Sequence, residues 1–211
     1  MLRLQLLVLL LLPNCVKSQT ETLLHWQFLH PQKHSWIDAG THGSVQETLI
    51  QQGELPNPFY GDNEQLFNWI ENYTWEFVSH VEVTQSMLHT NYLDLELPSV
   101  DTYAKIYVND SLIGFTQNAF LPYRFDVKGF LKVGNNTIKA VFIPPILFHK
   151  ENYDHAAYHL PAPNDVNKEI AVAPYTRKPQ YQFGWDWTMR MNTIGFLKPT
   201  KLLAYDNPSI S

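Results

Sequence analysis

The chain has 211 residues, a formal net charge of −5 and no basic run, which argues against a nucleic-acid partner because phosphate binding needs clustered Lys and Arg. Hydrophobic residues make up 45% of the chain and charged residues 17%, so the composition predicts a packed core rather than a disordered polar chain. The length suits one large domain or two small ones.

The N-terminus has the pattern of a secretory signal peptide. Arg3 precedes an apolar run at 4–12, and small or apolar residues stand at −3 and −1 of a cut before Gln19. A run of about nine apolar residues is too short to span a bilayer, which needs about 20. We therefore expect residues 1–18 to be cleaved off rather than to anchor the chain in a membrane. Cys15, the only cysteine, would leave with them, so the mature chain would have no disulfide.

Three Asn-X-Ser/Thr triplets follow the predicted signal peptide, at Asn72, Asn109 and Asn135. Each triplet is a weak indication by itself, but together they support N-glycosylation in a eukaryotic secretory pathway.

Two short helices are predicted near the N-terminus. Ser44 and Glu47 form a capping box, in which the Ser44 hydroxyl accepts from the first turn and Glu47 reaches back. Gly53 is a natural residue to end this helix. Asp62 is placed to cap a second short helix, whose apolar residues are Leu66, Phe67, Trp69 and Ile70.

The rest of the chain alternates apolar and polar residues over short stretches. Such alternation predicts strands at 23–28, 75–81, 92–97, 103–108, 112–117, 123–127, 137–143 and 195–205, whereas residues 36–43 look irregular. Short strands at regular spacing with polar turns are typical of a mainly β, antiparallel sandwich. There is no βαβ alternation and no glycine-rich phosphate loop, so we expect no cofactor.

Residues 144–179 interrupt this rhythm with six prolines, and a stretch of this length without regular structure is usually functional or mobile. His155 and His159 have the i, i+4 spacing of zinc ligands, but no Glu stands beside His155 and no cysteine is near, so we interpret these residues and His149 as loop histidines rather than metal ligands.

Residues 182–187 read QFGWDW. In an extended strand Trp185 and Trp187 would share one face as core residues, and Asp186 would point to water. If the chain bends at Gly184, all three side chains can line one concavity. Such a set suits a sugar, because its C–H face stacks on an indole and its hydroxyls satisfy the carboxylate. The residues alone leave both interpretations open.

Several blocks resemble the β-mannosidases of glycoside hydrolase family 2. They are residues 53–64 (GELPNPFYGDNE), 75–77 (WEF), 100–109 (VDTYAKIYVN), 120–127 (FLPYRFDV) and, most specifically, 177–187 (RKPQYQFGWDW). The resemblance covers essentially all of residues 19–211, in the same order. The chain departs from the family at 188–189, where TM replaces Gly-Pro, and at 196–197, where FL replaces Ile-Trp.

The resemblance implies a jelly-roll, galactose-binding-like domain that packs against a (β/α)8 catalytic domain. It implies that Trp185, Asp186 and Trp187 bind substrate, with Asp186 accepting hydrogen bonds from mannose hydroxyls. Family enzymes remove terminal, non-reducing β-D-mannose in glycoprotein catabolism, so a β-mannoside is the expected ligand. The lysosome or the extracellular space is the expected location.

Retaining hydrolysis needs two carboxyl groups about 5–5.5 Å apart, which the family supplies from its barrel. Glu151, Asp154 and Asp165 match no catalytic motif, and the chain has no room for a barrel of about 200–250 residues. We therefore expect an inactive fragment without catalytic residues. Two alternatives are a freestanding secreted carbohydrate-binding module and a docking domain whose exposed surface is the vacant barrel interface.

Overall fold

The computed structural model describes residues 19–165 and 169–207, so the predicted signal peptide lies outside the described residues. The strands in the described ranges are β1 Gln19–Leu23, β2 Trp26–Leu29, β3 Trp36–Gly40, β4 Gly43–Ser44, β5 Trp75–Val83, β6 Tyr92–Leu97, β7 Val100–Asp101, β8 Tyr103–Val108, β9 Ser111–Thr116, β10 Tyr123–Asp126, β11 Gly134–Ile143, β12 Gly195–Phe196 and β13 Lys201–Tyr205. The α-helices are α1 Val45–Gln51, α2 Gln85–His89 and α3 Pro145–Asp154, and short 3-10 helices span Asn63–Asn72, Lys128–Phe130, Ala173–Tyr175 and Gln180–Phe183. None of the described helices is long and apolar enough to cross a membrane.

The strands form an antiparallel sandwich. A six-stranded sheet has the order β3-β2-β5-β11-β8-β9, a four-stranded sheet has the order β1-β13-β6-β10, and β4-β12-β7 form a small third sheet. The longest strand, β11, pairs along its length with β5 and β8. Its residues alternate between buried and partly exposed positions, as expected for a strand with one face on the core.

The core between the sheets is rich in aromatic residues. Trp26 stacks on Phe196 with ring centroids 4.5 Å apart, and Phe77 meets Phe142 edge to face at 5.0 Å. A second, smaller apolar cluster of Val172, Ala173 and Phe183 lies under the long segment that precedes the QFGWDW motif. The predicted mainly β, jelly-roll class is therefore confirmed.

Three strand predictions need correction. Residues 36–40 form β3 rather than an irregular stretch, because β3 is an edge strand that pairs with β2 and, being mostly exposed, lacks the expected alternation. The stretch predicted as one strand at 23–28 divides after Leu23, where β1 pairs with β13 and β2 joins the other sheet. The stretch at 195–205 likewise divides into β12 and β13.

The helix predictions are correct in part. The Ser44 hydroxyl accepts from the Glu47 amide at 3.1 Å, as predicted, but the Glu47 carboxylate accepts from Gln51 instead of reaching back. The second predicted helix is present as the 3-10 helix Asn63–Asn72, but Asp62 precedes it without the predicted side-chain capping bond. Helix α3 was not predicted at all.

Candidate functional site

Residues 185–188 form a tight turn, named here the aromatic turn. The Trp185 amide donates to the Thr188 carbonyl at 3.2 Å, and Gly184 enters the turn with φ +95°, which an L side chain rarely adopts. The bend that the sequence permitted at Gly184 is therefore present. The interpretation of QFGWDW as an extended core strand is wrong.

All three predicted sugar-contacting side chains reach solvent. Trp187 is 76% exposed and Trp185 42% exposed, and Asp186 is exposed as well. Large aromatic side chains usually bury most of their surface, so two exposed tryptophans on either side of an exposed aspartate in the sequence favour a ligand or an interface over a packing role.

A hairpin-like base supports the aromatic turn. The Met191 amide donates to the Gln182 carbonyl at 2.9 Å, which brings the two ends of the loop together. Between the base and the turn, Phe183 is fully buried in the smaller apolar cluster. The turn thus projects from a base that is fixed in the interior.

One buried polar cluster lies beside this base. The Lys178 ammonium is 3.0 Å from the Asp101 carboxylate, with neither side chain exposed, and donates to the Thr193 carbonyl at 2.9 Å. Asp101 also accepts from Thr193 and from Gln182 at 3.4 Å. Burial lowers the pKa of Lys178 below its ordinary value, although the Asp101 carboxylate opposes that shift. The cluster connects strand β7 to both sides of the loop.

A second buried cluster is centred on Arg190. Its guanidinium donates to Glu71 at 2.8 Å, to Asp165 and to the Phe183 carbonyl at 3.2 Å. Asn192 also donates to Glu71, at 3.2 Å. The second oxygen of Asp165 accepts from two backbone amides of the long segment, at 2.6 and 3.0 Å. Asp165 therefore holds the chain in place and is not a free carboxylate in a loop.

The other candidate residues of the long segment, residues 144–179, make contacts with neighbouring protein groups. Asp154 pairs with Lys150 at 2.8 Å on the surface of α3. The His155 ring bonds the Glu151 carbonyl at 2.8 Å, and the His159 ring stacks on Tyr153. Over residues 19–165 and 169–207, no group of three or more His, Cys, Asp or Glu side chains is arranged to hold a metal ion.

The three predicted glycosylation sites differ in their surroundings. Asn72 and Asn135 are exposed. Asn109 is half-buried, and its side-chain nitrogen donates to the Phe130 carbonyl at 2.8 Å and to Asn136 at 2.7 Å.

Two depressions on the described part of the surface lie away from the aromatic turn. One of about 490 Å³ lies on the four-stranded sheet and includes Arg124 and Tyr205. Another, of about 430 Å³, includes Tyr103, His149 and Arg177. Neither is lined by a residue of the turn. The turn is the better candidate site, because its exposed indoles and carboxylate have the chemistry of a ligand contact, whereas the volume of a depression alone identifies no ligand.

The residues that fix the turn could not be identified from the sequence. Arg190, Glu71 and Asp165 are distant from one another along the chain, and each looks like an ordinary surface charge. Lys178 and Asp101 fall inside blocks that resemble the β-mannosidases, which is the one indication that they matter. Nothing in the pattern marks them as buried.

The family of the chain is decided by a match over most of its length. The family described as "Glycosyl hydrolase 2 galactose-binding domain-like" matches residues 26–198. The chain belongs to this family. The match contains both buried clusters and the aromatic turn, so the family 2 domain includes every residue described above as part of the candidate site.

Among curated proteins, this family 2 domain is similar to β-mannosidases. It is 27% identical over 208 residues to a beta-mannosidase from Capra hircus, covering 95% of this chain and 24% of that protein. It is 28% identical over 177 residues to a probable beta-mannosidase from Caenorhabditis elegans, covering 81% of this chain and 20% of that protein. The chain thus spans between a fifth and a quarter of these relatives.

The domain is also similar to parts of solved glycosidase structures. A beta-D-mannosidase from Dictyoglomus thermophilum aligns with a TM-score of 0.79 and 30% identity, covering 88% of this chain and 22% of that chain. An exo-chitosanase from Amycolatopsis orientalis aligns with a TM-score of 0.60 and 15% identity, covering 88% of this chain and 20% of that chain. The second likeness concerns the fold alone.

Proposed function

We propose that this domain contributes the sugar-recognising surface of a β-mannosidase. In this proposal Trp185 and Trp187 contact the apolar face of a terminal, non-reducing β-D-mannose unit, and Asp186 accepts hydrogen bonds from its hydroxyls. The observation that carries the proposal is the aromatic turn itself, in which two indoles and a carboxylate are exposed above a buried, hydrogen-bonded base. Such a mixture of apolar surface and a few polar groups is typical of ligand sites.

The second part of the proposal concerns the partner. The turn is exposed and lines neither of the two depressions described above, so it offers one wall of a subsite rather than an enclosed pocket. We propose that a (β/α)8 catalytic domain supplies the other wall and both catalytic carboxylates. Exposed aromatic residues such as Phe59 and Tyr60 would pack against that domain, since apolar surface of this kind commonly marks an interface.

A freestanding carbohydrate-binding module is the second candidate function. The exposure of Trp185 and Trp187 in the domain by itself favours it, because a sugar could reach both indoles without a partner. For either function we propose a role in glycoprotein catabolism or glycan binding along the secretory route, in the lysosome or outside the cell.

Calorimetric titration of the purified chain with methyl β-D-mannoside tests sugar binding. We expect saturable binding that Asp186→Ala and Trp187→Ala abolish, because each removes one part of the contact. Asp110→Asn and Trp36→Ala are matched controls, since they change an exposed carboxylate and an exposed indole outside the turn. Folded chain that gives no heat of binding, or equal binding by Asp186→Ala, would contradict the proposal.

Chain length of the ligand separates the two functions. A terminal subsite takes one end of each oligosaccharide, so mannobiose and mannohexaose would bind with similar affinity. A module that binds along a glycan would prefer the longer ligand.

A further inference from the structure

The aromatic turn has little of its own to hold its shape. Among the hydrogen bonds of the described residues, none involves the side chain of Trp185, Asp186 or Trp187, and the only bond that closes the turn is that from the Trp185 amide to Thr188. Whatever orients the two indoles must therefore act through the base of the loop.

Arg190 is the residue that joins this base to the rest of the domain. Its guanidinium donates to the Phe183 carbonyl on the opposite side of the loop at 3.2 Å and lies over the Phe183 ring at 5.4 Å. It also bonds Glu71, near the end of the helix Asn63–Asn72, and Asp165 of the long segment. One side chain thus connects both sides of the loop to two other parts of the chain.

The chemistry of this position favours arginine over lysine. A guanidinium is planar and presents donors in a fixed fork, whereas a lysine ammonium is a compact charge on a flexible stem. The guanidinium can therefore donate at the same time to three acceptors that lie in different directions. The side chains of Arg190, Glu71 and Asp165 are all buried, so solvent cannot replace a lost bond, and an unmatched carboxylate would displace the loop.

We infer that Arg190 is a positioning residue, which orients Trp185, Asp186 and Trp187 for a ligand without touching that ligand. The inference rests on the proposed function only for the identity of the ligand, because the fixed orientation of the loop is a property of the folded domain. The buried cluster around Arg190 would then determine sugar affinity as well as the stability of the domain.

The test compares Arg190→Lys with wild-type chain labelled with ¹⁵N at its six tryptophans. Trp185→Phe and Trp187→Phe assign the two indole N–H signals of the turn. In Arg190→Lys we expect both signals to shift or broaden while those of the core residues Trp26 and Trp75 stay in place. The dissociation constant for methyl β-D-mannoside should rise by about tenfold or more. Arg124→Lys is the control, because this guanidinium pairs with Asp94 at 2.6 Å on the four-stranded sheet.

The outcomes separate the two proposals. Unchanged indole signals of the turn in a folded Arg190→Lys protein would overturn the inference. If these signals move but the wild-type chain binds no mannoside, the positioning role stands and the sugar proposal fails. If Arg190→Lys does not fold, Glu71→Gln gives the same readout, since it removes one charged acceptor of Arg190 and keeps the bond to Asp165. Unchanged turn signals in Glu71→Gln would then overturn the inference.

Discussion

Lys178 and Asp101 form an ion pair of 3.0 Å inside the protein, and neither side chain is exposed to solvent. The pair lies between strand β7 and the segment that leads into the aromatic turn. Because a buried charge needs its partner far more than an exposed one does, the pair makes the position of the loop depend on a contact between residues distant in sequence.

Lys178→Met should therefore destabilise the domain by about 3–5 kcal/mol, because it leaves the Asp101 carboxylate buried without a counter-charge. Urea unfolding followed by far-UV circular dichroism gives the change in the free energy of unfolding. Lys150→Met is the matched control, since its pair with Asp154 lies on a helix surface and should contribute at most about 0.5 kcal/mol.

A double variant checks the mechanism. If the cost arises from the unpaired carboxylate, Asp101→Asn combined with Lys178→Met should cost less than the sum of the two single changes by at least about 1 kcal/mol. Additive costs, or a loss below about 1 kcal/mol for Lys178→Met alone, would show that the pair does not hold the loop.

Gly195 provides a second prediction, for the small sheet that follows the loop. Its φ is +147°, and an added Cβ would collide with the Gly43 carbonyl and lie 3.0 Å from Ser44 Cα on the paired strand. Gly195→Ala should cost about 1–3 kcal/mol, as residues forced into sparsely populated backbone regions do. Thermal unfolding measures the loss.

The control for Gly195→Ala is Gly129→Ala, because a Cβ at Gly129 would meet no atom within 4 Å. We expect its midpoint of unfolding to stay close to that of the wild-type chain. A Gly195→Ala protein as stable as the Gly129→Ala protein would show that β4 and β12 can separate without cost.

The parts of the fold that were predicted depend on neighbouring residues. The alternation of a strand repeats every two residues, and the Ser44 cap depends on a residue three positions later. Both patterns can therefore be recognised within a short stretch of sequence. Helix α3 was not predicted because it lies in the proline-rich stretch 144–179, whose composition favours a segment without regular structure. Pro145 instead stands at the first turn of α3, where its missing amide hydrogen costs nothing.

The candidate site also has a part that was predicted from neighbouring residues and a part that was not. The composition of residues 182–187, together with the family resemblance, singled out Trp185, Asp186 and Trp187. The support beneath them was not predicted, because Arg190 bonds Glu71 across 119 positions and Asp165 across 25. Contacts between residues so far apart in the sequence depend on how the sheets are connected, and a local sequence pattern does not predict that connection.

His149 makes the stability of the domain sensitive to acid. Its ring accepts or donates a 2.7 Å bond with the Tyr103 hydroxyl, and burial lowers the pKa of His149 below its ordinary value. Below about pH 6.5 the unfolded chain takes up a proton that the folded chain resists, so stability falls as the pH decreases from about 7 towards 5.

His149→Gln removes this titration, so its free energy of unfolding should fall less between pH 7 and pH 5 than that of the wild-type chain. Urea unfolding at several pH values measures the slope. His159→Gln is the control, because His159 is exposed and stacked on Tyr153, and it should leave the slope unchanged. Parallel slopes for His149→Gln and wild type would refute the assignment.

The sequons give the last prediction, for chain produced in a eukaryotic secretory host. We expect glycans at Asn72 and Asn135, which are exposed, and low occupancy at Asn109. The nitrogen of Asn109 donates two hydrogen bonds, to Phe130 and Asn136, and a glycan would replace one of its two hydrogens. The folded domain would then lose a partner for a partly buried acceptor, which is unfavourable.

Mass spectrometry of glycopeptides measures the occupancy of each site. Thr74→Ala and Thr137→Ala should each remove one glycan, whereas Ser111→Ala, which destroys the third triplet but keeps Asn109, should leave the glycan mass unchanged. High occupancy at Asn109 would contradict the prediction. It would also mean that the glycosylated chain keeps at most one of the bonds from Asn109 to the Phe130 carbonyl and Asn136, since the modified nitrogen has one hydrogen left to donate.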